Sequence, residues 1–340
     1  MTSDPSSLDA DTTTSSSATA RGESVRVMTS VAHDADEQAR NLHGWRQTYD
    51  QLSAGCFTGA LTELFLDRMT VFREATSHAL RQTCEVQSDS YWFGIPLCRE
   101  GTGRVDANVI GDHALAVRPG GVEFELITPA DYEFFGIVVN GDMLRQYAAE
   151  VEHLGLTDTV PHAAVVPVDG GHKVQLCVSL RRMLDDGAAL DVPLSGFARS
   201  NLQASVLAAL FDLCSPEHAF QPAVASQRRQ AIVSDARGYV LANRDRPVGV
   251  PELCEQLHVS RRTLQYCFQD VLGMSPAAYL RAIRLNGARR DLCDGGRTHS
   301  VKDVAAAWGF WHLSQFATDY RRLFGVRPSE TLQRAMAGAR

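Results

Sequence analysis

Apolar residues recur along the chain with two different periods. Between His43 and about Gly141 they form short runs broken by Gly and Pro, such as "SYWFGIPLC" and "YEFFGIVVN". This spacing is typical of the strands of a β-sandwich or barrel. After Asp142 they recur every three to four positions, as in "DMLRQYAAEVEHLG", and from Gln227 onward every segment has this helical pattern. The sequence therefore predicts a β-rich domain with added helices, followed by an all-helical domain.

Two polar segments mark the expected domain boundaries. Residues 1–38 are rich in Ser, Thr and Asp and nearly lack large apolar side chains, so we predict a disordered tail. The turn-rich stretch 216–226 predicts a linker. The expected folded domains are residues 40–215 and residues 227–340.

The stretch "SRRTLQYCFQDVLG", residues 260–273, predicts an amphipathic helix with both ends marked. Ser260 is placed to cap the first amides, and Gly273 can take the left-handed conformation that ends a helix. The face expected to be buried consists of Leu264, Cys267, Phe268 and Val271. The face expected to be exposed consists of Arg262, Gln265, Tyr266 and Gln269. A short helix before it, with Leu253 and Leu257 inward, joins through "HVS", so residues 250–273 predict a helix-turn-helix unit.

An internal repeat, offset by 52 residues, strengthens this interpretation. The shift places Gly273 on Gly325 and Pro276 on Pro328, and it defines a second unit at about residues 301–325. In that unit we expect Leu313, Phe316, Tyr320 and Leu323 to turn inward and Ser314, Ala317, Thr318 and Arg321 to turn outward. A long helix over residues 276–293 would connect the two units.

The charge of the chain divides at the same boundary. The net charge is -7 overall. Residues 227–340 contain 18 Lys and Arg against 10 Asp and Glu, a balance of +8, which leaves -15 for the rest. A basic segment beside an acidic one suggests that the basic segment binds a polyanion. The sequence has no membrane span, no signal peptide and no CxxC pair among its eight cysteines, so we expect a cytoplasmic protein without membrane contact or a cysteine metal site.

The repeated "L...F....G..P" pattern, the "WGF" turn and the long helix between the units resemble the DNA-binding domain of AraC/XylS transcription regulators. The resemblance covers residues 227–335 and implies double-stranded DNA as a partner. It implies base contacts from Arg262, Gln265, Tyr266, Ser314, Gln315 and Thr318. The phosphate contacts expected are Arg261, Arg281, Arg284, Arg289, Arg290, Arg321 and Arg322, and His312, which replaces the usual Ser or Asp cap of the second unit. The alternative for Arg289 and Arg290 is a solvated helix surface.

A regulator needs an input, so residues 40–215 are expected to form the sensor, as the cupin-like barrel common in that family. His113 is the only histidine in its strand-rich stretch "GDHALAVRPGGVEFEL", which argues against a metal cupin enzyme, and we expect no enzyme activity, catalytic cofactor or metal. The candidate effector residues are Tyr91, Trp92 and Phe93 for an aromatic face and Glu123, Glu125 and Asp131 for a charge. These aromatics equally fit a barrel core, and the acids equally fit a surface.

Several stretches, among them "YWFGIPL" and "RPGGVEFELITPADY", resemble the positive regulators of ethanolamine-utilisation operons. That resemblance implies an activator that responds to ethanolamine and adenosylcobalamin together, although the DxHxxG corrinoid motif is absent. RNA polymerase and a second copy of the chain are further expected partners.

Two alternatives to this function differ in class. The N-terminal domain could serve only for dimerisation or protein contact, or the regulator could respond to a different small molecule. An alkyl-acceptor DNA-repair protein also carries paired DNA-binding units, but it needs closely spaced cysteines, which Cys56, Cys84 and Cys98 do not provide.

Overall fold

The computed structural model describes residues 27–97, 101–153, 164–189, 195–214, 224–246, 248–294 and 300–338. The strands are β1 Val27–Ala32, β2 Trp45–Gln51, β3 Gly59–Leu66, β4 Met69–Thr76, β5 Leu80–Val86, β6 Ser90–Pro96, β7 Gly103–Val105, β8 Asn108–Ile110, β9 Ala114–Pro119, β10 Phe124–Thr128, β11 Tyr132–Asn140 and β12 Val165–Pro167. The helices are α1 Ala35–Asn41, α2 Gly141–Glu150, α3 Gly170–Ala189, α4 Gly196–Leu213, α5 Val224–Ala242, α6 Val250–Gln256, α7 Arg261–Leu272, α8 Pro276–Asp294, α9 Val301–Ala307, α10 Leu313–Phe324 and α11 Pro328–Gly338. Among the described residues, no helix combines the length and the apolar character needed to cross a membrane.

The N-terminal domain consists of two antiparallel sheets packed face to face. One sheet has the order β1-β3-β4-β11-β6-β9-β12 and the other the order β2-β5-β10-β7-β8. Their facing sides share one core, in which Phe72 and Trp92 of the first sheet meet Phe124 and Leu126 of the second. Side chains alternate between the two faces of a strand, so each strand contributes every second residue to this core.

Helices cover the outer face of the seven-stranded sheet. Leu144 of α2, Leu180 of α3 and Leu207 of α4 pack with Phe135 and Ile137 of β11 in a second core. That sheet is therefore buried on both sides, which explains why β6 and β11 are apolar almost throughout rather than alternating. The predicted fold class, a β-rich domain with helices followed by an all-helical domain, is confirmed.

The predicted disordered tail is too long. Residues 27–38, assigned to it from composition, form β1 and most of α1, while residues 1–26 lie outside the described part of the chain. β1 pairs with the edge of β3, and Asp34 accepts a hydrogen bond from the Glu37 amide at the start of α1. Because Ala32, Ala35 and Ala39 supply the buried contacts, the segment folds without the large apolar side chains whose absence suggested disorder.

The predicted linker also ends earlier than expected. α5 begins at Val224, inside the interval 216–226, and residues 215–223 are not among those described.

The C-terminal domain has two small cores that share one helix. Leu264, Phe268 and Val271 of α7 pack with Tyr279 and Ile283 at the start of α8. The second core contains Phe316 and Tyr320 of α10, Val304 of α9, and Leu285 and Leu292 further along α8. α8 is therefore the common support of both helix-turn-helix units.

The two domains meet along the edge strand β2 of the five-stranded sheet. The side-chain amide of Asn286, in α8, pairs with the backbone of Gln51: its Oδ1 accepts from the Gln51 amide at 2.9 Å, and its Nδ2 donates to the Gln51 carbonyl at 3.0 Å. Beyond the strand, the Leu323 carbonyl of α10 accepts from the Gly55 amide at 3.0 Å and from Gln51 Nε2 at 2.8 Å. These bonds fix the connecting helix and the second unit against the sheet.

A second contact joins the sheet to the first unit. Ile127 of β10 belongs to the core formed by α5, α7 and α8. Next to it, the carboxylate of Glu125 pairs with Arg81 and accepts a hydrogen bond from Gln230 Nε2 of α5. The N-terminal domain therefore touches both units.

Candidate DNA-binding surface

The first recognition helix, α7, has the caps and faces that the sequence predicts. Ser260 Oγ accepts from the Thr263 amide at 3.1 Å, and Gly273 ends the helix with a φ of 68°. The four residues expected inside, Leu264, Cys267, Phe268 and Val271, are all buried. Arg262, Gln265, Tyr266 and Gln269 are exposed, so a row of polar side chains faces outward from the first two and a half turns of the helix.

The two units use the same turn. In the first, His258 takes a φ of 52° and the Val259 amide donates to the Cys254 carbonyl at 3.0 Å. In the second, Gly309 takes a φ of 71° and the Phe310 amide donates to the Ala305 carbonyl at 2.9 Å. In each unit, a residue with left-handed backbone angles ends the first helix, and the amide after it donates to the carbonyl five positions earlier. The chain then turns into the recognition helix.

Side chains of the first unit remain available for contacts with a ligand. No ion pair or hydrogen bond to another described residue involves the Arg262 or Gln265 side chain. Tyr266 is 58% exposed, and the guanidinium of Arg229 lies 5.8 Å from the centre of its ring. Arg262 and Gln265 have the length and the donor groups that reading base edges requires.

The second recognition helix, α10, begins differently. His312 occupies the N-cap position, and its side chain makes no capping hydrogen bond. Of the predicted outward face, Ser314, Thr318 and Arg321 are exposed and Ala317 is half-buried; Gln315 is exposed too. Gln315 Nε2 donates to Asp319 Oδ1 at 3.0 Å, and Thr318 Oγ1 donates to the Ser314 carbonyl at 2.9 Å. The polar groups of this helix are thus partly satisfied within the helix.

One residue of the second unit was placed on the wrong face. Phe316, Tyr320 and Leu323 are buried as predicted, whereas Leu313 is 44% exposed. Leu313 is the first residue of α10, and only the later turns of this helix pack on the core. Its side chain therefore lies outside the core.

Five of the seven arginines expected to contact phosphate lie at or near the surface of the helical domain. Arg261, Arg321 and Arg322 are exposed, and so is Arg281, whose Nε lies 3.7 Å from Asp319 Oδ2. Arg284 is half-buried over the Phe310 ring, 5.4 Å from its centre, and burial lowers the pKa of its guanidinium, with Arg281 adding to the shift.

Arg289 and Arg290 instead contact the N-terminal domain. Arg290 donates to Asp36 Oδ1 and to the Tyr49 carbonyl, both at 2.8 Å, and also pairs with Asp50. Arg289 is 9% exposed and lies 3.4 Å from Asp34. Both the predicted phosphate contact and the solvated surface are therefore wrong for this pair, because these carboxylates surround the arginines. Sequence reasoning missed this interface; the only signal in the sequence was Asn286, an amide within the apolar pattern of α8.

The six predicted effector residues do not form one site. Trp92 stacks on Phe124 between the sheets, with ring centroids 5.1 Å apart, whereas Tyr91 and Phe93 face the helices on the other side of β6. Glu123 precedes β10 and is exposed, while Glu125 on the strand is buried in the contact with α5. Asp131 is exposed in a turn with a φ of 54°. The prediction fails because successive residues of a strand point to opposite faces.

The two larger cavities described in the N-terminal domain lie elsewhere. The larger, about 530 Å³, is bounded by the end of β6, the turn before β9 and one side of α3, with Lys173, Arg181 and Arg182 against Asp112 and Asp185. The other, about 310 Å³, lies between α2, α4 and the β3-β4 turn. No three His, Cys, Asp or Glu side chains of the described residues are grouped closely enough to hold a metal ion.

Residues 253–334 match the sequence model of a helix-turn-helix domain family, which spans both units and α8. The matched region coincides with the repeated turn and the two recognition helices described above. This region is a helix-turn-helix domain.

Curated relatives match the chain over this same domain. The probable thc operon regulatory protein of Rhodococcus erythropolis is 39% identical over 103 residues, 30% of this chain and 31% of the relative. The XylDLEGF operon transcriptional activator of Pseudomonas putida is 33% identical over 96 residues, 28% of this chain and 30% of the relative. The chain thus covers less than a third of the length of each of these relatives. Both are named as regulators of operons, and neither name refers to ethanolamine.

Solved structures match the helix-turn-helix domain as well. A probable AraC family transcriptional regulator from Rhodopseudomonas palustris is 39% identical, with a TM-score of 0.29, covering 31% of this chain and 97% of that one. The DNA-binding domain of AdpA, solved in complex with a target DNA, is 24% identical with a TM-score of 0.29, covering 31% and 94%.

Proposed function

We propose that this protein is a sequence-specific DNA-binding transcription regulator of the AraC/XylS type. The observation that carries the proposal is the repeated helix-turn-helix unit, in which the same left-handed turn directs two recognition helices from one supporting helix. In such a unit the N-terminal residues of the second helix enter the major groove. The basic balance of residues 227–340 supports a polyanionic partner.

The exposed side chains divide by chemistry into two roles. Arginine pairs both acceptors of guanine and glutamine pairs adenine, so base contacts are proposed for Arg262, Gln265, Tyr266, Ser314, Gln315 and Thr318. Contacts to phosphate, which add affinity without sequence information, are proposed for Arg261, Arg281, Arg284, His312, Arg321 and Arg322.

The length of the connecting helix supports simultaneous binding of both recognition helices to one duplex. α8 has 19 residues, which makes it roughly 28 Å long at about 1.5 Å per residue. This length is comparable with the ~34 Å between successive major-groove faces of B-DNA. We therefore expect the two units to occupy adjacent turns of one duplex.

The test is selection of binding sites from random duplexes with the full chain, followed by titration of the selected and a scrambled duplex. Arg262→Ala should weaken binding to the selected duplex by ~1 to 3 kcal/mol and relax one base position. Arg261→Ala, one residue away, is the matched control and should weaken both duplexes equally. Equal affinity of the wild-type chain for selected and scrambled DNA would contradict sequence-specific binding.

The N-terminal domain is proposed to sense a small molecule that makes the protein an activator. The cavity of about 530 Å³ has the size of a small-molecule site, which supports this role over dimerisation alone. The resemblance to regulators of ethanolamine utilisation makes ethanolamine and adenosylcobalamin the first ligands to test. The basic side chains around the cavity do not favour an ammonium ligand, so the choice of ligand rests on the resemblance.

Calorimetric titration of the full chain with each compound, alone and in the presence of the other, tests this part separately. Two ligands that tighten each other's binding would support a two-signal sensor. If neither binds to a folded chain, ethanolamine and adenosylcobalamin are ruled out and the DNA-binding function is unaffected.

A further inference from the structure

The start of the second recognition helix exposes a patch of apolar surface. Trp311 is 72% exposed and Leu313 44% exposed, on either side of the uncapped His312. A scattered exposed apolar side chain needs no explanation, but two within three residues at the groove-entering end of a recognition helix lie where function is expected.

The exposure of Trp311 does not come from a loose segment. Phe310, immediately before it, packs on Phe316 with ring centroids 5.0 Å apart and is covered by the guanidinium of Arg284. Trp308 is 6% exposed, and its indole Nε1 donates to Asp291 Oδ2 at 2.7 Å. The backbone immediately before Trp311 is therefore held, and after it the His312 carbonyl accepts a hydrogen bond from the Phe316 amide at 2.9 Å. Trp311 thus lies on fixed backbone at the start of α10.

The two recognition helices present different chemistry at this end. In the first unit the corresponding positions are Val259, which is half-buried, and Arg261, which is exposed and charged. In the second unit they are Trp311, just before α10, and Leu313, its first residue, while the side chains of Gln315 and Thr318 bond within their own helix. The second unit thus presents apolar area where the first presents free donors.

We propose that Trp311 and Leu313 read the C5-methyl groups of thymine in the major groove. The methyl group is the apolar feature that a base edge offers there, and it is matched by apolar contact rather than by hydrogen bonds. The inference rests on the proposed DNA-binding function and makes it more specific: the first unit reads its half-site by hydrogen bonds, and the second reads its half-site mainly by thymine methyl groups.

The experiment replaces thymine by deoxyuridine, one position at a time, in the duplex selected by the full chain. This change removes the methyl group and keeps the hydrogen-bonding edge. Affinity should fall about fourfold for each contacted methyl group, at one or two positions in the half-site of the second unit. Trp311→Ala should bind the thymine duplex as weakly as the wild-type chain binds the deoxyuridine duplex, and should no longer distinguish the two.

A control variant and a leucine variant sharpen the result. Met336 is 41% exposed on α11, outside both recognition helices, so Met336→Ala should keep the full preference for thymine. Leu313→Ala should lose part of the preference for thymine over deoxyuridine. Far-ultraviolet circular dichroism should be unchanged in all three variants, because the replaced side chains are exposed.

Two results would overturn the inference and leave DNA binding intact. The first is a wild-type chain that binds its selected duplex but tolerates every deoxyuridine. The second is Trp311→Ala with normal affinity for the thymine duplex, which would assign the exposed indole to another partner. A chain that selects no DNA sequence at all would overturn the proposed function and this inference together.

Discussion

The caps of the two recognition helices predict opposite effects of single substitutions. His312 has extended backbone angles, φ -109° and ψ 98°, but gives the first amides of α10 no side-chain acceptor. His312→Ser supplies that acceptor and should raise the free energy of unfolding by ~1 kcal/mol in urea titrations. Ser260→Ala removes the same bond from α7 and should lower it by a similar amount. Equal stability of His312→Ser and wild type would mean that solvent already satisfies these amides.

A buried carboxyl in the N-terminal domain predicts a pH dependence of stability. Glu74 accepts hydrogen bonds from Gln38 Nε2 at 2.8 Å and from the Tyr49 hydroxyl at 3.1 Å. Burial raises the pKa of this carboxyl from 4.5 to about 7. The folded protein therefore holds the proton more tightly than the unfolded chain, so the stabilisation is complete below about pH 4.5 and is lost as the pH rises through about 7.

Glu74→Gln should remove this dependence. From pH 5 to pH 8 the wild-type free energy of unfolding should fall by about 2 to 3 kcal/mol more than that of the variant, measured by urea titration at both values. Glu150→Gln, at the exposed end of α2, should keep the wild-type profile. Parallel profiles for wild type and Glu74→Gln would show that Glu74 ionises at its ordinary pKa.

At the scale of the helix, two glycines with opposite surroundings form a matched pair. A Cβ added at Gly238, in α5, would meet no atom within 4 Å, whereas one at Gly287, in α8, would lie 2.1 Å from the Trp308 ring. Gly238→Ala should raise the free energy of unfolding by about 1 kcal/mol through helix propensity alone. Gly287→Ala should lower it by about 1 to 3 kcal/mol, because Trp308 is held by its bond to Asp291 and cannot yield. Thermal denaturation of both variants checks the two signs.

Local signals explain which elements could be predicted from the sequence. α7 was predicted from Ser260 to Gly273 because a cap, a helical period and a left-handed glycine agreed there. β1 and α1 were missed because their buried residues are mostly alanines, which composition does not separate from a flexible segment. The effector residues were misplaced because sequence proximity on β6 and β10 does not fix which face of a sheet a side chain occupies.

At the scale of the whole molecule, the interdomain ion pairs predict that two arginines of the helical domain differ in their effect on DNA binding. Arg322→Gln removes an exposed charge from α10 and should reduce the slope of log affinity against log salt by about 1. Arg290→Gln should leave that slope unchanged, because Asp36 and Asp50 already hold this guanidinium. It should instead lower the free energy of unfolding by roughly 2 kcal/mol, less than the full cost of breaking a buried pair, because 27% of the side chain is exposed. A reduced slope for Arg290→Gln would restore it as a phosphate ligand.

These interdomain contacts could not be predicted from the sequence, because they join residues more than 200 positions apart. The bonds between Gln51 and Asn286 span 235 residues, and nothing local to either residue indicates its partner. The internal repeat, in contrast, is visible in the sequence because each copy is built from short-range signals.

The edge strand β2 of the five-stranded sheet makes its outer backbone hydrogen bonds with the C-terminal domain. The Tyr49 carbonyl and both backbone groups of Gln51 face away from β5, and side chains of α8 bond all three. A fragment cut between the domains would lose α8 and leave these strand groups bare, and an open strand edge is a template for pairing with another chain. We therefore expect the isolated N-terminal domain to aggregate through β2.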